Sequence, residues 1–307
     1  MQNTLKTTAI FEGLGLHRGT PVRMAVKPAP VDHGVVFVRT DVAARDATIP
    51  AIWDHVVPSR LCTLVANAAD VSVSTIEHVM AALAGCAIHN ALIEIDGPEV
   101  PILDGSAVPF VEGFLAAGIV AQDAPVMAIR VLKPVEVRDG DAVARLEPAE
   151  LLEIDFQIDF AEAAIGRQTK RLNLANGAFV RELSDSRTFC RQIDVDAMRA
   201  NGLALGGTLE NAVVFQGDQV LSPGGLRHAD EPVRHKMLDA LGDLSLAGAP
   251  ILGRYTGIRA GHAMTNRLLR ALFAQPEAWE RVEVGAHTLG KLPGVGVIAA
   301  DLPVRAA

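Results

Sequence analysis

The strongest constraint on this chain is a pattern that runs through once, stops at Gln122-Asp123-Ala124-Pro125, and starts again. Before the break, strand-like runs at residues 7–11, 22–26 and 35–38 lead to a helix over 75–85, where Ile76, Val79, Met80 and Leu83 share one face. A strand at 91–95 follows. A turn at Asp104-Gly105 then opens a helix through Val111, Phe114 and Leu115 to Gly118, with Ser106 or its neighbour as cap. After the break, strand-like text recurs at 126–132, 135–137, 142–146 and 152–158, and helical text at 178–183, 195–200, 231–247 and 261–274. Strands followed by a helix pair, twice, predict an α+β chain of two sandwiches, residues 1–123 and 124–307. Half of the 307 residues are apolar and 21% are charged, which is enough to fill both cores and excludes disorder.

Charge excludes further classes. The chain has 28 Lys and Arg against 36 Asp and Glu, net −8, with no basic block, so nucleic-acid binding by bulk charge is disfavoured. Aromatics, at 4%, are too few for a platform that stacks single-stranded bases. Cys62, Cys86 and Cys190 are far apart, odd in number and without a C-x-x-C pair. That fits a reducing compartment and argues against a disulfide scaffold or a thiolate zinc site. The first residues lack the basic start and apolar stretch of a signal peptide, and the longest uncharged apolar run, 79–93, is too short to span a bilayer. A soluble cytoplasmic protein with no transmembrane segment is expected. Gly13-Leu14-Gly15-Leu16-His17-Arg18-Gly19 resembles a dinucleotide fingerprint only in part. Its third glycine comes one place late and a strand follows where a helix should, so a Rossmann reading is rejected.

Three local signals carry chemistry. In His235-Lys236-Met237-Leu238-Asp239 the imidazole and the carboxylate are four apart on a helix and point the same way, with Asp243 one turn further. Such a pair suits zinc, with a third ligand leaving one position open for water; it equally suits a solvated helix face. In Ser74-Thr75-Ile76-Glu77-His78, Ser74 and Glu77 have the spacing of a capping box. The alternative puts His78 on a metal and Glu77 beside it as general base. Gly261-His262 opens a helix, and a protonated role for this imidazole needs a nearby carboxylate, since a helix N-terminus lowers its pKa. His17, His33, His55, His89, His228 and His287 show no ligand spacing and are taken as surface or structural.

Taken together and in order, these motifs resemble the UDP-3-O-acyl-N-acetylglucosamine deacetylase family, zinc amidases of lipid A synthesis. The resemblance extends to Gly13-Leu14-Gly15-Leu16-His17, Leu61-Cys62-Thr63, Ala81-Ala82-Leu83-Ala84-Gly85, Pro101-Ile102-Leu103-Asp104-Gly105-Ser106 and Ser186-Arg187-Thr188-Phe189, and spans residues 4 to 284. It implies two similar β-α-α-β two-layer sandwiches with the active site between them. It implies one Zn2+ per chain on His78, His235 and Asp239, with Fe2+ as an alternative because two His and one Asp also suit iron. Glu77 matches the family's general base, His262 its general acid, and Asp243 the carboxylate that partners this histidine. Lys236 and Thr188 match residues close to the reacting carbonyl, and Leu61 and Phe189 match positions at the sugar and acyl entrance.

The family also carries an apolar insert for the 3-O-acyl chain, here about residues 190–215 with Val195, Leu209 and Ala212. His89, Arg18, Cys190 and Ala142 depart from the family pattern. The last of these makes Arg259, a planar donor just before His262, the better candidate for a phosphate contact. The implied substrate is UDP-3-O-acyl-N-acetylglucosamine, handled by a monomer. The rivals are a zinc amidohydrolase acting on another N-acyl sugar or peptide, and a non-catalytic zinc-stabilised binding protein.

Overall fold

The computed structural model describes residues 1–43 and 46–304. Its frame is two five-stranded sheets of one topology. In the first, Ala9–Leu14 and Pro21–Pro28 form an antiparallel hairpin. Ala91–Ile95 lies antiparallel to Pro21–Pro28 and parallel to Val35–Arg39, and Thr48–Pro50 closes the edge. The segment 13–19 is therefore a strand end and a turn, with no helix after it. In the second sheet Val135–Asp139 pairs with Ala142–Glu147, and Arg167–Asn173 with Glu153–Asp159. Arg254–Ile258 lies between the two pairs, antiparallel to one and parallel to the other. In both sheets the fifth strand in sequence becomes the central one.

Helices flank each central strand in sequence. In the first half these are α1 (Glu77–Gly85) and α2 (Val108–Ala117). The second half carries α3 (Ala178–Glu182) and α4 (Gln192–Ala200) before its own pair, α5 (Glu231–Ser245) and α6 (His262–Phe273). The cores follow from periodicity. Ile154, Phe156 and Ile158 alternate inward along one strand, and Phe11 meets Phe110 and Phe114 of α2 at ring distances of 5.0 and 5.7 Å. These are two similar α+β sandwiches.

Several strands escape the sequence pattern, two of them in the second large sheet. Arg167–Asn173 is an edge strand of charged and polar residues, which is how sheets protect an edge and also why no apolar alternation marks it. Arg254–Ile258 sits at the centre of its sheet, yet only Tyr255 and Gly257 face inward, so its text lacks an apolar run. Each half also carries a small three-stranded sheet between its fourth large-sheet strand and its first long helix. In the first half it is Val56–Val57, Leu64–Ala66 and Ser72–Ser74. In the second it is Phe189–Arg191, Val213–Gln216 and Gln219–Val220, with α4 bridging the parallel pair.

The halves meet where α1 packs along α5. Gly242 on α5 sets the spacing: a Cβ there would lie 2.1 Å from the Glu77 carbonyl oxygen and 3.2 Å from the Ala81 nitrogen. A glycine inside a helix costs about 1 kcal/mol relative to alanine, so this position gives up helix propensity for a close backbone approach. Gly242→Ala is accordingly expected to destabilise by about 1–3 kcal/mol through overpacking, despite its better propensity. Gly290→Ala, whose Cβ meets nothing closer than 3.8 Å, should change stability by less than about 0.5 kcal/mol. Denaturant titration of both variants is the check.

Candidate metal centre and active site

The first turn of α1 and the middle of α5 face each other across that contact. His78, His235 and Asp239 are buried, and one ligand atom from each lies within 4.8 Å of the others. Asp239 Oδ1 is 3.4 Å from His235 Nε2 and 3.7 Å from His78 Nε2. His235 Nδ1–H donates to the Ser186 carbonyl at 3.0 Å, which fixes the tautomer and leaves Nε2 as a lone-pair donor toward Asp239. Burial holds both imidazoles neutral, with His78 pushed down to about 3. Asp239 Oδ1 is buried with no hydrogen-bond partner, although its other oxygen accepts from Lys236 Nζ at 2.5 Å. Burial alone would raise the Asp239 pKa; the neighbouring imidazoles and Lys236 outweigh it and keep the group ionised. Two neutral imidazole nitrogens and an orphaned carboxylate oxygen converging on one point fit a divalent cation, and the N, N, O set suits zinc.

Beside this triad lie a buried carboxyl group and an imidazole. Glu77 is buried, and burial pushes it up to about 7, with Asp239 and Asp243 adding to the rise and His262 opposing it. Its Oε2 accepts the Thr63 N–H at 3.0 Å, and its Oε1 faces His262 Nε2 at 3.8 Å. The capping-box alternative is thereby corrected. Residue Ile76 occupies the N-cap of α1 without a side-chain cap, and Ser74 donates its hydroxyl to the Pro98 carbonyl. The box fails because Ser74 is held in a strand and Thr75, at φ 59°, turns the chain away before the helix begins. His262 starts α6, and its Nδ1 bonds Asp243 Oδ2 at 2.9 Å. Burial lowers an imidazole pKa, yet Asp243, Glu77 and Asp239 together raise that of His262 to about 9.

A cavity of about 1090 Å³ opens over the triad. Glu77, His78, His235, Lys236, Asp239, His262 and Thr188 line it, and so do Leu61, Phe189, Val195, Leu209, Ala212 and Arg259. Asp243 lies behind His262. The segment 190–215 forms one wall, fastened to the first half by the Gly206 N–H on the Leu16 carbonyl (3.0 Å) and the Leu205 N–H on the His17 carbonyl (3.2 Å). Arg259 reaches the wall already paired, with Asp159 at 2.6 Å and Asp141 at 3.4 Å. Of the departing residues, Cys190 lines the cavity, and His89 lies away from it, accepting the Asn3 N–H at 3.0 Å.

Three contributors escaped sequence reasoning. Thr63 holds Glu77 and also donates its hydroxyl to Asp243 at 2.5 Å, and Ser186 orients His235; neither role has a spacing signature. His17, taken as structural, lies on the cavity wall with both ring nitrogens buried and unpartnered.

Comparison with known proteins agrees with this geometry. Residues 2–274 match the sequence model of the UDP-3-O-acyl N-acetylglycosamine deacetylase family. A protein of Phenylobacterium zucineum named UDP-3-O-acyl-N-acetylglucosamine deacetylase is 52% identical over 94% of this chain and 99% of its own length. Proteins of the same name from Shewanella baltica and Shewanella oneidensis are 48% and 46% identical, each over 97% of this chain and at least 98% of theirs. With His78, His235 and Asp239, and Glu77 and His262 beside them, all inside the matched span, the chain belongs to the UDP-3-O-acyl-N-acetylglucosamine deacetylase family.

Proposed function

We propose that this chain hydrolyses the N-acetyl group of UDP-3-O-acyl-N-acetylglucosamine, giving acetate and UDP-3-O-acyl-glucosamine, a step of lipid A synthesis. The observation that carries the reading is the convergence of a buried carboxylate and an Asp-supported imidazole on a three-ligand metal site, at the floor of a cavity with an apolar wall. His78, His235 and Asp239 would hold one zinc ion. When bound, zinc supplies Lewis-acid chemistry, acidifying water and polarising a carbonyl oxygen.

The rest is done by the chain. Glu77 Oε2 is tied to Thr63, so Oε1 is the atom that takes the proton from the attacking water. Lys236 and Thr188 donate to the oxygen that gains charge as the carbonyl becomes tetrahedral. His262 carries its proton on Nε2, since Nδ1–H is given to Asp243, and delivers it to the departing amine. Phe189, Val195, Leu209 and Ala212 take the 3-O-acyl chain, Leu61 flanks its entrance, and Arg259 meets the diphosphate by exchanging a carboxylate partner. The enzyme works as a monomer whose halves divide at 123/124. No helix among the described residues is long and apolar enough to cross a membrane, and a cytoplasmic location belongs to this proposal.

Four outcomes test it. His78→Ala should lose its metal by elemental analysis while the fold survives, and chelation of the native enzyme should abolish deacetylation. Full occupancy in that variant would remove the triad. Glu77→Gln should cost about 10²–10⁴-fold in rate with little change in stability. The native kcat/KM profile should be a bell. Its acid limb should lie below the value of about 7 for Glu77 and its alkaline limb below the value of about 9 for His262, because a bound cation favours the carboxylate and disfavours the imidazolium. His262→Ala should erase the alkaline limb. Finally, a sugar nucleotide without the 3-O-acyl chain should be about 10³-fold poorer in kcat/KM, the worth of only five buried methylenes at roughly 0.8 kcal/mol each. Equal values would rule out the insert as acyl site.

A further inference from the structure

We infer that Thr63 is a positioning residue that holds base and acid in register with each other. The inference rests on the roles proposed above for Glu77 and His262. Thr63 is buried just before strand Leu64–Ala66, and all three of its polar groups are committed to the site. Its carbonyl accepts the Ile76 N–H at 3.4 Å, at the threshold of α1. Its own N–H donates to Glu77 Oε2 at 3.0 Å, and its hydroxyl donates to Asp243 Oδ1 at 2.5 Å, 180 residues along the chain.

Each bond selects an atom. The N–H bond leaves Glu77 Oε1 as the oxygen turned toward His262. The hydroxyl bond fixes the Asp243 carboxylate so that Oδ2 meets His262 Nδ1 and the imidazole presents Nε2 to the cavity. Side-chain hydrogen bonds of this kind orient a catalytic imidazole without touching substrate. Without the hydroxyl, Asp243 Oδ1 becomes a buried acceptor with no donor, and the carboxylate is free to turn. The loss of one such charge-assisted bond corresponds to about 10–100-fold in kcat. Binding should be untouched, since Thr63 reaches neither the acyl wall nor the metal ligands.

The test compares Thr63→Ser with Thr63→Ala in the zinc-loaded, full-length enzyme. Both lose the γ-methyl and they differ by one oxygen, so packing costs are shared. Thr63→Ser should keep kcat within about 3-fold of the native enzyme, and Thr63→Ala should fall about 10–100-fold, both with native KM and metal content. If Thr63→Ala does not fold, Thr63→Val, which keeps the side-chain volume, takes its place. In a His262→Ala background the two should no longer differ, because the hydroxyl acts through Asp243 on that imidazole. Equal kcat for Ser and the hydroxyl-free variant in the native background overturns the inference, as does a difference that survives in His262→Ala. Native kcat in Glu77→Gln or His262→Ala alone would instead overturn the acid–base assignment.

Discussion

Everything at this site depends on how closely α1 can approach α5. A methyl group at position 242 would meet the Glu77 carbonyl oxygen, so only a glycine lets the first turn of α1 lie against the middle of α5. That contact joins the halves of the metal triad, since His78 comes from one helix and His235 and Asp239 from the other. It also brings Glu77 within 3.8 Å of His262, which starts a third helix. A further clamp lies at the other end of α1. A Cβ on Gly85 would overlap the Phe179 ring, so α3 of the second half is seated there. Two glycines thus set the helix at both ends, and the geometry of the site is inherited from backbone packing.

Charge explains why so crowded a site holds together. Three buried carboxylates, Glu77, Asp239 and Asp243, face one ammonium, Lys236, and one imidazolium, His262. Burying that set with an excess of negative charge is costly unless something positive completes it. The crowding is visible in Glu77, where desolvation and two neighbouring carboxylates raise the pKa, and in His262, where three carboxylates overcome desolvation. A divalent cation beside Asp239 would more than offset that excess and lower the proton affinity of Glu77, leaving it ionised and able to act as a base at neutral pH.

Much of this was legible in the chain and some was not, for definite reasons. The helix bearing His235, Asp239 and Asp243 is readable because residues four apart share a face, although that spacing suits a solvated face as well and only the resemblance singled it out as a metal site. Helix α1 is visible from its apolar stripe, but Ser74 and Glu77 mimic a capping box that the strained turn at Thr75 prevents. Arg254–Ile258 and Arg167–Asn173 stayed hidden because one packs through a glycine and a tyrosine and the other is a polar edge. Thr63 and Ser186 could not be read at all: their contributions run through a backbone N–H, a hydroxyl and a carbonyl. These act across 14, 180 and 49 residues, and no local pattern encodes that.

The shared topology of the halves shows how the chemistry was divided. In each, the helix before the central strand carries part of the candidate metal triad: α1 has His78, and α5 has His235 and Asp239. The helix after that strand behaves differently. Helix α2 opens on Val108 and Pro109 and buries its face in the core, whereas α6 opens on His262 at the cavity. The small sheets occupy the same place in both halves yet present different surfaces. The first is short, with Thr63 buried and Leu61 exposed beside it; the second is extended by α4 and by residues 201–212 into a wall of the cavity. Two copies of one frame therefore yield an asymmetric cleft, with members of the candidate triad from both halves, Glu77 from the first and His262 from the second. This wall comes from the half that carries the longer insertion. A reaction that needs a proton removed on one side of a carbonyl and delivered on the other is served by that asymmetry, which a symmetric pairing of the same helices could not provide.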